Sequence, residues 1–436
     1  MRRTTLLACV ALCSGFVSSA CGSKTGLNVP DAGFTARNTS DSGTPGNPQA
    51  DAEVESGDAE IEVAIPCVEV RPESESTVLP LETQAQIGKA DVVFLIDTTA
   101  SMMSEIDRIR GGLRDRIVPA ARDALTDVRF GVATFADFPV GDYGRPGQDL
   151  PFVLRLQNTD DVASVQATMN SIGLGEGSDE PESQVEALYQ LATGDGIGAF
   201  VPPSAGCATG GQGYVCFRED ALPVILLFTD APFHNGPSDD GRLAFPYSFI
   251  DPPPHTYSEA VVELNRLDAR VIGFDSGRAE NHLSRLAEDT QTLDEDGDPL
   301  VIELGANGEG LNDRVVRAIQ TLAGAVVFDV DARYQDLDLR DGIEVSEYVQ
   351  AIAPVRATPA EGVSSIDEEA GVFRQVVSGT DLVFNLVLRD DIEVPPETIR
   401  FEIEVVFLGD GRTQLDRRRV EVVVPSEDGP GCDEER

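Results

Sequence analysis

Positive charge is scarce in this sequence: 33 Lys and Arg face 76 Asp and Glu, for a formal net charge of -43. Such a surface repels phosphate backbones and anionic lipid, which excludes nucleic-acid binding and polybasic docking on a membrane. Histidine is rarer still, with only His234, His255 and His282. That leaves little material for zinc chemistry or a His-based proton relay. Past the N-terminus no apolar run is long enough to span a bilayer. No serine sits in a Gly-x-Ser-x-Gly elbow, and no general base stands beside a candidate nucleophile, so no enzyme is expected. What is abundant is carboxylate, the natural counterpart of a hard, oxygen-seeking cation.

The chain has 436 residues, 41% of them hydrophobic, enough for two or three domains each with a core. Arg2 and Arg3, an apolar run over 6–17 and the small residues Ser18-Ser19-Ala20 read as a secretory signal over 1–20. Ser18-x-Ala20 suits ordinary signal peptidase, while Cys21 after the small residues resembles the acylated cysteine of bacterial lipoproteins. An outer-membrane or cell-surface lipoprotein is the expectation, because a low-complexity tether follows directly, with a periplasmic or secreted protein as the alternative and membrane contact only through the lipid anchor. Residues 21–60 are Gly, Ser, Asp, Pro, Asn and Ala with almost no large apolar side chain, the composition of a disordered tether. Export permits disulfides. Cys207 and Cys216 bracket a Gly-rich loop and invite a local staple, which leaves Cys67 for Cys432.

Between 90 and 322 the pattern alternates strand and helix. Continuous apolar runs at 91–96 and 222–229 read as strands buried on both faces. Strands at 128–135, 152–156, 269–274 and 300–304 fall between helical stretches at 102–125, 162–172, 182–193, 258–267, 279–288 and 312–322. This predicts an α/β fold, a doubly wound and mostly parallel sheet whose ligands sit beyond the carboxyl ends of the strands. After Gly324 the period becomes two, and strands at 328–334, 355–357, 372–377, 382–388, 399–407 and 418–424 predict a β-sandwich over 325–426. An acidic tail covers 427–436. The alternating residues of 61–85 read as the first strands of that sandwich, which makes the α/β domain an insertion in it.

The two most apolar strands end in Asp97 and Asp230. Asp97-x-Thr99-x-Ser101 can aim three oxygens into one space, as Mg²⁺ prefers, although such hydroxyls also serve as helix caps. With Asp179-Glu180-Pro181-Glu182 and Thr229-Asp230-Ala231-x-Phe233-His234, the set resembles the metal-ion-dependent adhesion site of von Willebrand factor A domains, closest to the I-like domain of integrin β chains. The resemblance implies Asp97, Thr99, Ser101, Glu182 and Asp230 around Mg²⁺ or Mn²⁺. It implies a second ion, Ca²⁺, at Asp137, Asp179, the Pro181 carbonyl and Glu182, with Gly177 where the family has Asn. A third, adjacent site would need two acids where this chain has Ser104 and Glu105. His234 reads as a packed or hydrogen-bonding residue, and Asp294-Glu295-Asp296-Gly297-Asp298 as a solvated acidic turn.

The function this implies is adhesion, in which the ion accepts an acidic side chain of a protein partner. The integrin β chains also have their I-like domain inserted in a β-rich one. The competing expectation is an assembly protein of the cell envelope whose metal only stabilises the fold.

Overall fold

The structure is a computed structural model that describes residues 65–70, 77–208, 210–238, 240–305, 308–340 and 342–432. The expected secretory signal over 1–20, Cys21, the expected tether over 21–60 and residues 433–436 lie outside the described residues. No described helix is long and apolar enough to cross a membrane.

The first two strands, β1 (Cys67–Glu69) and β2 (Val78–Gln84), precede β3 (Lys89–Asp97). Every residue of β3 from Ala90 onward is buried, and its side chains divide between two cores. Val92, Phe94 and Ile96 face one, Val93 and Leu95 the other. That division follows from the two-residue period of a strand covered on both faces. The helices α1 (Met103–Gly112) and α2 (Val118–Ala124) follow, joined by a single π-helical turn at Leu113–Ile117. The sequence periodicity predicts one continuous helix here, because a π turn shifts the phase without interrupting the apolar face.

Next come β4 (Asp127–Phe135), β5 (Val153–Thr159), α3 (Val162–Ser171), α4 (Gln184–Thr193) and β6 (Leu222–Thr229). After them run α5 (Tyr257–Arg266), β7 (Arg270–Asp275), α6 (Glu280–Asp289), β8 (Val301–Glu303) and α7 (Leu311–Ala325). The sheet order is β5-β4-β3-β6-β7-β8, with β5 antiparallel and the other pairings parallel. Buried side chains of α1, α2, α3 and α7 join the first core, and those of α4, α5 and α6 the second. Helices therefore cover both faces. Local signals agree with the boundaries: Thr256 and Glu259 close a capping box on α5, and Gly194 ends α4 in the left-handed region.

The remaining strands are β9 (Val327–Asp336), β10 (Val349–Thr358), β11 (Ser365–Asp367), β12 (Val372–Val377), β13 (Asp381–Leu388), β14 (Ile399–Gly409) and β15 (Thr413–Val424). They form two sheets, β1-β15-β14-β9-β12-β11 and β10-β13-β2. Phe384 of β13 reaches from the smaller sheet to Phe373 and Phe407 of the larger, with ring centroids 5.0 and 5.5 Å apart. β1 pairs in parallel with β15, and β2 runs antiparallel to β13. The chain thus adds one strand to each sheet before entering the α/β part at β3.

Cys67 is bonded to Cys432, 365 residues away, and Cys207 to Cys216. The residues before Cys432 are tied down as well. The Cys432 amide donates to Glu69 Oε1 (2.7 Å) and Arg400 Nη2 to the Gly431 carbonyl (2.7 Å). Because the Cys67–Cys432 bond closes so long a loop, replacing both cysteines by serine should lower unfolding stability by about 3–5 kcal/mol. Denaturant unfolding of the double variant under non-reducing conditions measures it.

Candidate metal-binding edge

The strand register fixes which residues share the carboxyl edge. Asp97 lies opposite Phe135 of β4, and Ile96 opposite Phe228 of β6, which places Thr229 beside Asp97. Asp97 is fully buried, and its partners are hydroxyls and an amide. Thr99 donates from its backbone N (2.9 Å) and Oγ1 (2.8 Å) to Asp97 Oδ1, and Thr229 Oγ1 donates to Oδ2 (2.8 Å). Thr99 Oγ1 lies 3.1 Å from Ser101 Oγ, and the Ser101 hydroxyl bonds Asp230. Among the described residues, no Lys or Arg forms an ion pair with Asp97, Glu182 or Asp230.

Glu182 arrives from a different part of the chain. A short parallel bridge joins it to Phe233: the Glu182 amide donates to the Pro232 carbonyl (3.0 Å), and the His234 amide to the Glu182 carbonyl (2.9 Å). The next two residues lock this in place. Ser183 Oγ donates to the Ala136 carbonyl (2.7 Å), and Gln184 Nε2 to Thr229 Oγ1 (2.8 Å) and the Ala231 carbonyl (3.0 Å). The sequence pattern predicts a helix from 182, but these bonds hold Glu182 extended and α4 starts at Gln184. Glu182 Oε2 is buried and has no hydrogen-bond partner among the described residues.

The electrostatics reflect crowding without compensation. Burial, then the charges of Asp97, Asp137 and Asp179, push the Glu182 carboxyl up to about 12. Burial raises Asp97 to about 7, with Asp230 adding to the shift. Asp230 is also raised, by burial and by the charge of Asp275. An all-oxygen set of three carboxylates and two hydroxyls, one carboxylate oxygen being orphaned, fits a hard divalent cation.

Asp137 and Asp179 lie together beside this group, and His234 lies with them. One ligand atom from each falls within 4.8 Å of the others. His234 hydrogen-bonds as its sequence reading expects: its Nε2 stands 3.1 Å from Asp179 Oδ2, with Asp137 Oδ2 at 3.5 Å. Burial lifts the Asp137 carboxyl to about 7. For His234, burial is outweighed by the bond to Asp179 and the charge of Asp137, which raise it. Pro181 is buried next to Glu182. Gly177 adopts φ +65°, and a Cβ there would stand 2.7 Å from Glu182 Oε1 and 3.2 Å from Thr99 Cγ2. An Asn at this position would displace one of them.

At the adjacent position, Ser104 is exposed and offers no acid. Glu105 is buried, accepts a hydrogen bond from the Ser276 hydroxyl and has its carboxyl raised, by burial first and by Asp230 among its neighbours. Asp294 Oδ1 accepts the amides of Asp296 and Asp298 (3.0 Å each), which closes the acidic turn on itself. Sequence reasoning missed Asp149, Gln184 and Tyr247. Asp149 is buried and receives the amides of Arg145, Glu176 and Gly177, which shapes the turn behind Glu182. None of the three carries a local motif that would have marked it.

No protein-family model matches the chain, and no curated protein does. Among solved structures it is similar to a von Willebrand factor type A protein from Catenulispora acidiphila, at 12% identity and TM-score 0.34 over 83% of this chain and 72% of that one. It is also similar to proximal thread matrix protein 1 of the mussel byssus, at 12% identity and TM-score 0.35 over 56% of this chain and 50% of that one. A third is the pilus adhesin SpaC of Lactobacillus rhamnosus GG in its open conformation, at 12% identity and TM-score 0.31 over 79% and 45%. The chain spans about half the length of the latter two. At this identity none of them speaks to function.

Two predictions follow from the geometry. Asp97 and Glu182 hold protons more tightly folded than unfolded, so the metal-free native state binds more protons and loses stability as pH rises from about 4 through about 7, and further for Glu182. The melting midpoint of metal-free protein should therefore fall across that window, and Glu182→Gln should flatten the fall. Added Mg²⁺ should recover more at the alkaline end than at the acid end. Gly177→Ala should keep the fold by circular dichroism yet weaken the Mg²⁺-induced rise in melting temperature, because its Cβ intrudes on Glu182.

Proposed function

We propose that this chain is an exported binding protein of the von Willebrand factor A type, most like an integrin β I-like domain inserted in a β-sandwich. Mg²⁺ or Mn²⁺ would be held by Asp97, Thr99, Ser101, Glu182 and Asp230, and a protein partner would be bound through an acidic side chain. The observation that carries the reading is the orphaned, buried Glu182 Oε2 beside Asp97, in a cluster that no described cation relieves. The ion, when bound, supplies a Lewis-acidic position that a partner carboxylate can occupy in place of water.

The chain's own residues do the positioning. Thr229 and the Thr99 amide hold the Asp97 carboxylate in one orientation, and the Glu182–Phe233 bridge sets the depth of Glu182. The rim supports recognition. Phe249 is 98% exposed and Phe245 49% exposed, on the loop whose Tyr247 hydroxyl donates to Asp137. Exposed aromatics beside a charged centre are the usual anchors of a protein interface. Anchoring through Cys21 belongs to the same reading and would keep the site at the cell surface.

The test compares wild type with Asp97→Ala in Mg²⁺ and in EDTA, against surface-protein extracts whose carboxyls are free or amidated. Binding should require Mg²⁺, Asp97 and free partner carboxyls together. Asp97→Ala should remain folded, because it relieves repulsion in the metal-free state. Binding that ignores EDTA, or a melting curve unmoved by Mg²⁺, Mn²⁺ and EDTA alike, removes the reading. A Mg²⁺-dependent melting curve without Mg²⁺-dependent capture favours the envelope-assembly role.

A further inference from the structure

The imidazole of His234 is fixed in one orientation. Its Nδ1 lies 2.6 Å from the Phe245 carbonyl, which can only accept, so Nδ1 carries the proton. Tyr247 stacks on the ring at 4.2 Å between centroids, and Tyr143 meets it edge-on at 5.1 Å. In the neutral ring Nε2 therefore presents a lone pair, and what faces it is two further acceptors, Asp179 Oδ2 at 3.1 Å and Asp137 Oδ2 at 3.5 Å. Asp137 is already used on its other oxygen, which accepts the Phe138 amide (2.6 Å) and the Tyr247 hydroxyl. Its Oδ2 is buried, aimed at the same point, and has no hydrogen-bond partner among the described residues.

The geometry points to a second, nitrogen-bearing metal centre here, in which His234 Nε2, Asp137 and Asp179 bind a first-row transition ion of the Zn²⁺ class. This ion takes the place of the Ca²⁺ expected from the resemblance. The chemistry of the donors decides the ion: an imidazole nitrogen is a poor ligand for Mg²⁺ or Ca²⁺ and a good one for Zn²⁺. The spacing agrees. Tetrahedral bonds of about 2.0–2.1 Å set neighbouring donors about 3.3–3.4 Å apart, and the two observed separations bracket that value. The outer contacts are those of a metal-binding His, whose second ring N–H is held by a carbonyl, with a carboxylate steadied by a hydroxyl and an amide. Three protein ligands leave a fourth position for water. This inference does not depend on Mg²⁺ binding around Asp97.

Co²⁺ is the probe, because tetrahedral Co²⁺ absorbs visibly whereas Zn²⁺ is silent and can displace it. The full chain, stripped with EDTA and dialysed, is titrated with Co²⁺ and then Zn²⁺ in millimolar Mg²⁺, which fills any oxygen-only site. Wild type should show one equivalent of tetrahedral Co²⁺ absorption that Zn²⁺ abolishes. His234→Gln and Asp179→Asn should each lose affinity by more than the ~10–100-fold that removal of an outer partner costs. Asp97→Ala should keep the band. Should His234→Gln fail to fold, Asp179→Asn decides, since that side chain is 32% exposed and its loss leaves the core intact. A featureless Co²⁺ spectrum overturns the proposal and leaves His234 as a doubly protonated partner of two carboxylates. A band that survives both variants, or one lost with Asp97→Ala, overturns it equally.

Discussion

Negative charge without a protein counter-charge is the constraint that organises the carboxyl edge of the parallel sheet. The contrast lies along a single strand. At the start of β3, buried Asp91 receives both the Arg218 amide (2.6 Å) and Nε (2.8 Å), and the same guanidinium reaches Asp127 (2.7 Å). At the end of β3, Asp97 receives only hydroxyls and an amide, with Asp230 close enough to raise its carboxyl and its own charge helping to raise that of Glu182. A buried carboxylate answered by arginine is a structural element. Three that share a space with none are stable as protonated groups or as the ligands of a cation.

The cost of that arrangement is carried by the loops. The Glu182–Phe233 bridge, the Ser183 and Gln184 side-chain bonds and the Asp149-centred turn hold the carboxylates where repulsion would otherwise part them. Each bond runs between segments far apart in sequence, so the site exists only once β4, β6 and the start of α4 have been brought together. The rest of the chain is braced from below. Gln414 donates its amide to the Asp220 carbonyl (2.9 Å), Lys89 pairs with Asp220, and Arg412 caps the Leu267 carbonyl (3.0 Å). The Gln414 and Arg412 contacts set the turn between β14 and β15 against the amino end of the α/β sheet, opposite the candidate site, while Lys89 of β3 holds Asp220 in place.

Much of this architecture is legible in sequence because burial on both faces leaves a clear trace. The runs at β3 and β6 read as strands for that reason, and their terminal Asp97 and Asp230 mark the edge. Less is legible where the signal is shared between outcomes. The strand near 152–156 reads as apolar, but only the partner it finds makes β5 antiparallel, and periodicity carries no direction. A three-residue strand such as β11 is too short to show a period. The π turn between α1 and α2 is invisible because it preserves the apolar stripe.

The chemistry divides along the same line. The sequence by itself determined the alternation of strand and helix, the excess of carboxylate, and the motifs Asp97-x-Thr99-x-Ser101, Asp179-Glu180-Pro181-Glu182 and Thr229-Asp230, all of which are local. Only the tertiary structure decided that Asp91 is answered by arginine and Asp97 is not, that Gly177 leaves room for Glu182 and not for Asn, and that His234 turns its Nε2 on Asp137 and Asp179. That last point hangs on one carbonyl, that of Phe245, eleven residues along the chain. The physical reason is common to all three: charge and orientation are set by what closes around a side chain in space, and no spacing along the chain records it.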